Sequence, residues 1–217
     1  YQTGIDCLNL RQQQFRLHDM RRSNRDIGEV RAMLQLNSGE VLFSTKDQKI
    51  LTADCKEIPV TGSADADLSL YCLMQDTDGS LLLGTRYDGL FRLEGRRLTN
   101  IGTADDGTAL NCNAVYDMLL TADSTLYIGT YEGGVNILKD NSFINSGNIW
   151  QDYPAQQCSR VRCLMSLADT MILAGTTNGL LQIRHRDRKT WFTPYSDIHC
   201  LLRDSRGDIW MGSFSGG

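Results

Sequence analysis

Val115–Val135 reads VYDMLLTADSTLYIGTYEGGV, and close copies of it stand before and after it in the chain. Taking Gly129 of Ile128-Gly129-Thr130 as an anchor, the equivalent positions are Ser44 in VLFST, Gly84 in LLLGT, Gly175 in LAGT and Gly212 in WMGS, at spacings of 40, 45, 46 and 37 residues. Fourteen residues before each anchor, with no gap, stands an apolar residue: Val30, Leu70, Val115, Val161 and Ile198. Eleven before it stands another, Met33, Leu73, Met118, Leu164 or Leu201. The residues just before the anchor are apolar in every copy, ending in Leu42-Phe43, Leu82-Leu83, Tyr127-Ile128, Leu173-Ala174 and Trp210-Met211. Five copies in one register mark a repeat architecture.

Each full repeat divides into four short strands. The first, such as 70–75, runs into a tight turn, Asp76-Thr77-Asp78-Gly79, with counterparts at Asp204-Ser205-Arg206-Gly207 and Asn37-Ser38-Gly39. Gly accepts positive φ there and Asp bonds its own backbone, which suits a hairpin. The second strand is the apolar run before the anchor, and apolar residues at consecutive positions mean burial on both faces. The third follows a loop such as Arg86-Tyr87-Asp88-Gly89, and the fourth carries Arg97-Leu98, Phe143-Ile144 or Trp191-Phe192. Long helical periodicity is absent. The copies have drifted: Ser44 replaces the anchor glycine, the Asp-x-x-Gly turn is lost at 121–124 and 167–170, and only the last copy has the Trp.

Four antiparallel strands per repeat of about 40 to 50 residues is the pattern of a β-propeller blade. The sequence therefore predicts an all-β chain, a propeller of about five four-stranded antiparallel blades within one domain, 1–217. The repeat cores are 30–52, 70–93, 115–138, 161–184 and 198–217, preceded by a partial blade at 1–18, where Gly4-Ile5-Asp6-Cys7-Leu8 looks like the segment that follows an anchor. Both Tyr1-Gln2-Thr3-Gly4 and Phe214-Ser215-Gly216-Gly217 resemble the loop Tyr131-Glu132-Gly133-Gly134. Two closures follow: the ends pair to complete a fifth blade, or the piece is an arc of a larger, seven-bladed ring. The arc is favoured, because both ends fall in one loop and no capping sequence is present.

At 217 residues and 41% hydrophobic, the chain can bury a sizeable core. Its net charge of -4 and pI near 5.3 offer no basic face for nucleic acid. No apolar run approaches the roughly 20 residues needed to cross a bilayer, and the start has no signal-peptide pattern. Among seven cysteines, Cys72, Cys163 and Cys200 share the position twelve before the anchor, where the other copies have Ala32 and Asp117. A small packing slot on an inner strand accounts for them. Cys7, Cys55, Cys112 and Cys158 are scattered; a Cys112–Cys158 bridge is open but has no spacing argument behind it. His18, His185 and His199 stand apart, and His199 takes a position that elsewhere holds Arg31, Tyr71, Tyr116 and Arg162, which favours a surface or channel role over metal ligation. Asp65-Ala66-Asp67 and Asp105-Asp106-Gly107 read first as turns and only second as calcium ligands. Neither a metal nor a cofactor is expected.

Apolar start, Asp-x-x-Gly turn, Trp-x-Gly-Thr/Ser and Gly-Gly together resemble the two-component regulator propeller repeat. The resemblance is clearest in 198–217, IHCLLRDSRGDIWMGSFSGG, and clear again in 70–90. It implies the periplasmic sensor region of a membrane-bound hybrid regulator, of a type that gut anaerobes use to detect oligosaccharides. In such proteins the blades precede a β-sandwich domain, a membrane helix, a histidine kinase and a response regulator with a DNA-binding part. No kinase-type loop or helix-turn-helix stands in this sequence. By the resemblance this region is non-catalytic, works as a homodimer through its parent, and meets a membrane only through parent segments.

Propellers of this kind bind ligands on the face built from the loops between strands two and three and between strand four and the next blade. That expectation selects Arg86, Tyr87, Asp88, Tyr131, Glu132, Asn178 and Phe214, with Thr177 beside them. Longer connections add Asp105, Asp106, Asn111, Asn113, Trp150, Tyr153 and Tyr195. Aromatic rings beside carboxylates and amides suit a sugar, which needs an apolar platform and hydroxyl partners. The bland alternative is a set of solvated loop residues, some packing against a neighbouring domain. Two further classes remain open: a glycan-cleaving enzyme using carboxylates drawn from Asp88, Glu132 and Asp105, and an interaction scaffold using open sheet edges and Phe214.

Overall fold

In a computed structural model of the chain, the described residues are 29–62, 67–104, 109–145, 152–168, 171–184, 186 and 189–214, with the backbone of two strands at 5–9 and 14–18. All regular structure among them is β-strand, in successive antiparallel sheets. The first sheet pairs β1 (Ile5–Asn9) with β2 (Gln14–His18). The second has three strands, β3 (Val30–Gln35), β4 (Val41–Thr45) and β5 (Ile50–Thr52). Three four-stranded sheets follow. They are β6 (Leu70–Gln75), β7 (Leu81–Thr85), β8 (Leu90–Glu94) and β9 (Arg97–Gly102); β10 (Val115–Leu120), β11 (Leu126–Thr130), β12 (Val135–Lys139) and β13 (Ser142–Asn145); and β14 (Val161–Ala168), β15 (Met171–Thr176), β16 (Gly179–Arg184) and β17 (Lys189–Pro194). The last sheet pairs β18 (Ile198–Arg203) with β19 (Ile209–Ser213).

The first strands of successive sheets lie side by side, β3 on β6, β6 on β10, β10 on β14 and β14 on β18. They are the inner strands of a propeller, and the later strands of each sheet stand progressively outward. The second strands explain the all-apolar runs. Leu81 and Leu83 face the preceding sheet, in a core with Leu42, Ile50, Leu70, Phe91 and Leu93. Leu82 faces the following one, in a core with Leu90, Val115, Met118 and Ile128. One strand thus serves two cores, so both of its faces are apolar.

The anchor is glycine because the next inner strand presses on it and, at Gly84 and Gly175, so does the cross-strand cysteine of its own sheet. A Cβ on Gly84 would stand 2.7 Å from Cγ1 of Val115, one on Gly129 2.6 Å from Cγ1 of Val161, and one on Gly175 2.7 Å from Cγ2 of Ile198. Real Cβ atoms never come so close, so two of the repeat's motif positions are one contact between neighbouring blades. Ser44 is tolerated because its cross-strand partner is Ala32, where other sheets carry Cys or Asp, and the Ala32 N–H donates to Ser44 Oγ at 3.1 Å.

Among the described residues three repeats are irregular. In the first full copy the fourth strand shrinks to a bridge between Leu51 and Glu57, and the chain then pairs at Thr61 with Arg97 of the next sheet. In the turn at 121–124 the motif is lost but its geometry is kept. Ser124 takes φ +60 and donates its N–H to Thr121 O at 3.0 Å, as Gly79 at φ +88 does to Asp76 O at 3.0 Å. In the last repeat, only two strands pair among the described residues. Its Trp indole N–H donates to Asp204 Oδ2 at 3.1 Å, which links the motif's Trp to its turn Asp.

Candidate ligand site at the ring mouth

In every full repeat the inner strand carries a β-bulge at one place. The register slips between Val30 and Ala32, Leu70 and Cys72, Val115 and Asp117, Val161 and Cys163, and Ile198 and Cys200. The extra residue, thirteen before the anchor, is Arg31, Tyr71, Tyr116, Arg162 or His199. A bulge re-aims its side chain out of the alternating pattern, which is how a polar or aromatic residue can sit in an otherwise apolar strand. Two residues after the anchor, the loop is tied to the start of the same inner strand: Lys46 N–H donates to Glu29 O, Arg86 to Ser69 O, Tyr131 to Ala114 O, Thr177 to Arg160 O and Phe214 to Asp197 O, at 2.8 to 3.1 Å. This repeated bond sets a second ring of side chains, Lys46, Arg86, Tyr131, Thr177 and Phe214, beside the first.

The two rings interlock. Tyr71 and Tyr116 have ring centroids 4.5 Å apart, and Tyr116 stacks on Tyr131 at 5.2 Å. Arg162, from the next sheet, lies over both Tyr116 and Tyr131 at 5.6 Å, and Arg160 lies over Tyr131 at 4.9 Å. Arg162 forks onto Asp197, Nε to Oδ1 at 3.3 Å and Nη2 to Oδ2 at 3.2 Å. His199 Nε2 reaches the same Oδ2 at 3.2 Å, and its ring stacks on Phe214 at 5.7 Å. Burial, and then the hydrogen bond and charge of Tyr71, push the Tyr116 phenol up to about 12, so it stays a neutral donor.

A cleft of about 450 Å³ opens against this stack, lined by Arg86, Tyr87, Cys112, Asn113, Ala114, Tyr116, Tyr131 and Glu132. A second, of about 290 Å³, shares Glu132 and continues past Gly133 and Gly134 to Tyr153. Other clefts of about 530 Å³ lie on the outer strands around Ile101, Asn141 and Phe143, away from both rings. The mouth cleft is the better site, because stacked rings and charged donors converge on it.

Residues 194–215 match the family model described as two component regulator propeller. That stretch carries the repeat. In fold it resembles two extracellular domains described as belonging to hybrid two component systems of B. thetaiotaomicron. The first has 18% identity and a TM-score of 0.71 over 87% of this chain and 28% of that one; the second has 15% identity and 0.71 over 97% and 30%. The chain thus spans under a third of those proteins. It is also similar to streptogramin B lyase, with 12% identity and a TM-score of 0.72 over 96% of this chain and 69% of that one. At these identities the likeness is one of fold. No curated protein matches in sequence.

The propeller repeat gathers Arg86, Tyr87, Tyr131 and Glu132 in one cleft. The others have more local duties. Asp88 Oδ2 accepts the Asp67 N–H at 2.6 Å, so this carboxylate ties down the strand entry to β6. Asn178 Nδ2 donates to Gln157 O at 2.9 Å, and the Asn178 carbonyl accepts from Tyr195 N–H at 2.9 Å. Phe214 lies beyond the Arg162–Asp197 pair, against His199. Tyr153 is a brace: its hydroxyl accepts from Val135 N–H and donates to Cys158 O, each at 3.1 Å. Asn111 and Asn113 hold loops, through Gly133 O and the Ala104 N–H respectively. Glu132 pairs with Arg160 at 3.3 Å. Asp65, Asp105, Asp106, Trp150 and His185, and the side chains of Cys7 and His18, lie outside the described residues.

Cys112 and Cys158 are separate free thiols. Burial pushes the Cys158 and Cys163 thiols up to about 12 and Cys72 well above its ordinary value, which keeps them as neutral packing groups. At the same position Asp117 is partly buried, and it accepts N–H groups from Leu164 at 2.7 Å and Met118 at 2.9 Å. Burial outweighs those bonds and raises its carboxyl to about 6. The inner ring of bulge residues was missing from the sequence-derived site. Its trace was there, since the position thirteen before the anchor is polar or aromatic in all five copies of an apolar strand.

Proposed function

We propose that this chain is a ligand-sensing propeller region, in the periplasm, of a membrane-bound hybrid two-component regulator, and that its ligand is an oligosaccharide or similar small molecule held at the ring mouth. The observation that carries this reading is the Tyr71–Tyr116–Tyr131 stack, braced by Arg160 and Arg162, beside a cleft of about 450 Å³ with Tyr87 standing 53% exposed. Aromatic faces offer a platform for sugar C–H surfaces, and the arginine, amide and phenol groups at its rim offer hydroxyl partners. The matching repeat and the fold likeness to extracellular sensor domains support the signalling context. The non-catalytic reading is supported by the engagement of Asp88 with a backbone N–H and of Glu132 with Arg160. In a dimeric parent, a ligand signals by binding one arrangement of the two chains more tightly than the other.

Calorimetry of the purified chain against an oligosaccharide panel, with product analysis on the same samples, tests the reading. Saturable binding of one glycan class without turnover, reduced at least about tenfold by Tyr131→Ala, is the expected result; turnover would move the chain to the enzyme class. A second reading, an interaction scaffold, draws on the exposed Trp210, Met211 and Phe214 of the last repeat. The same residues support an arc of a larger, seven-bladed ring. Self-association in sedimentation experiments, abolished by Trp210→Ala, would favour the scaffold.

A further inference from the structure

Resting on the ligand-binding reading of the ring mouth, we propose that the ligand carries an anionic group, a carboxylate or a sulfate ester, and that Arg86 holds it. Three guanidinium groups border the tyrosine stack. Arg160 is held by Glu132 at 3.3 Å and Arg162 by Asp197 at 3.2 Å. Arg86 makes no ion pair among the described residues, and its guanidinium carbon lies 4.8 Å from the Tyr87 ring centroid at the cleft wall. Asp88, two positions along, has turned its carboxylate to the Asp67 N–H. A guanidinium above an aromatic face keeps its donors available at the edge, and their fork matches carboxylate and sulfate oxygens.

Glu132 lines the same cleft and would repel an anion, but its pairing with Arg160 offsets that charge. Among the described residues the cleft therefore has one cation without an ion pair, Arg86, at one end and an aromatic wall along its length. That asymmetry fits a sugar chain with one acidic unit seated at Arg86 and its neighbours stacked on Tyr131 and Tyr116. A chain of net charge -4 has no general attraction for anions, so selectivity must come from this local cation.

The test compares binding of a neutral tetraose, tetragalacturonate and a sulfated carrageenan tetrasaccharide to the full chain by calorimetry, with wild type, Arg86→Gln and Arg86→Lys. An acidic tetrasaccharide is expected to bind at least about tenfold tighter than the neutral one, to lose about ten- to a hundredfold with Arg86→Gln, and to recover part of that with Arg86→Lys. Preference between the two acidic ligands assigns carboxylate or sulfate. Melting temperatures should match across the variants, since the Arg86 side chain touches only Tyr87 among the contacts described. Equal affinity for the neutral tetraose, or an unchanged acidic affinity in Arg86→Gln, would overturn the proposal while leaving the sensing reading intact. Binding of none of the three by wild type would overturn the proposal, and the oligosaccharide panel then decides the sensing reading by itself.

Discussion

The interior sheets and the last sheet carry the same motif and meet opposite fates. On β7, Leu82 is 1% exposed and Leu83 0%; at the matching positions of β19, Trp210 is 58% exposed and Met211 45%. Sequence does not cause the difference, since the last repeat holds the fullest version of the motif. Its cause is the neighbour: Val115 covers Gly84, Val161 covers Gly129 and Ile198 covers Gly175, whereas among the described residues Gly212 has only Cys200 Sγ within reach of an added Cβ. Blade stability is therefore an interface property, as in other quasi-one-dimensional repeats.

The largest effect expected from this contrast is at the anchor. Gly129→Val should cost more than about 3 kcal/mol or prevent folding, because its side chain would collide with Val161. Gly212→Ala should cost about 1 kcal/mol or less, since an exposed thiol can turn aside. Urea titrations of both variants measure the ratio, and equal losses would end the idea that the next blade makes the anchor strict. Close behind comes truncation on the second strand. Leu82→Ala should cost about 2 to 4 kcal/mol, and Trp210→Ala about 1 kcal/mol for the indole bond to Asp204. A large loss at Trp210 would mean that something covers the last sheet in solution.

The interface also titrates. The folded-state pKa of Asp117 is raised from 3.8 to about 6, so the folded chain binds more protons than the unfolded one between those values. Stability should fall as pH rises from about 4 to about 6, by roughly 1 to 2 kcal/mol after screening at a partly exposed group, and then level off. Asp117→Asn should flatten that slope in melting curves taken across the window; an unaltered slope would assign the titration elsewhere. The smallest effect belongs to the drifted turn. Ser124→Gly should stabilise by about 0.5 to 1 kcal/mol, because serine at φ +60 pays a steric cost that glycine avoids. No gain in melting temperature would mean that the Thr121 hydroxyl, bonded to Thr125 O at 2.8 Å, already compensates.

The site was half legible. Loop residues Arg86, Tyr87, Tyr131 and Glu132 could be chosen from the strand pattern alone, because a propeller's loops between strands two and three share one face. Asp88 and Asn178 follow from the same logic, and each also bonds a backbone group, a matter of angles and distances that residue type does not encode. The sequence aligns Tyr71, Tyr116 and Arg162 with His199 at one repeat position but does not select them for the ligand site, because alternation counts residues, and a bulge adds one without leaving a gap in the repeat.

By itself the sequence determined the repeat, its register, the strand order within a blade and the demand for a small residue at each anchor, since all of these follow from periodicity and side-chain volume. Only the tertiary structure decided which faces are covered, where the extra residue of each bulge points, and that Arg162 of one blade lies over the tyrosines of another. Those features depend on contacts between chain segments about 45 residues apart, and a local pattern carries no information about distances across them.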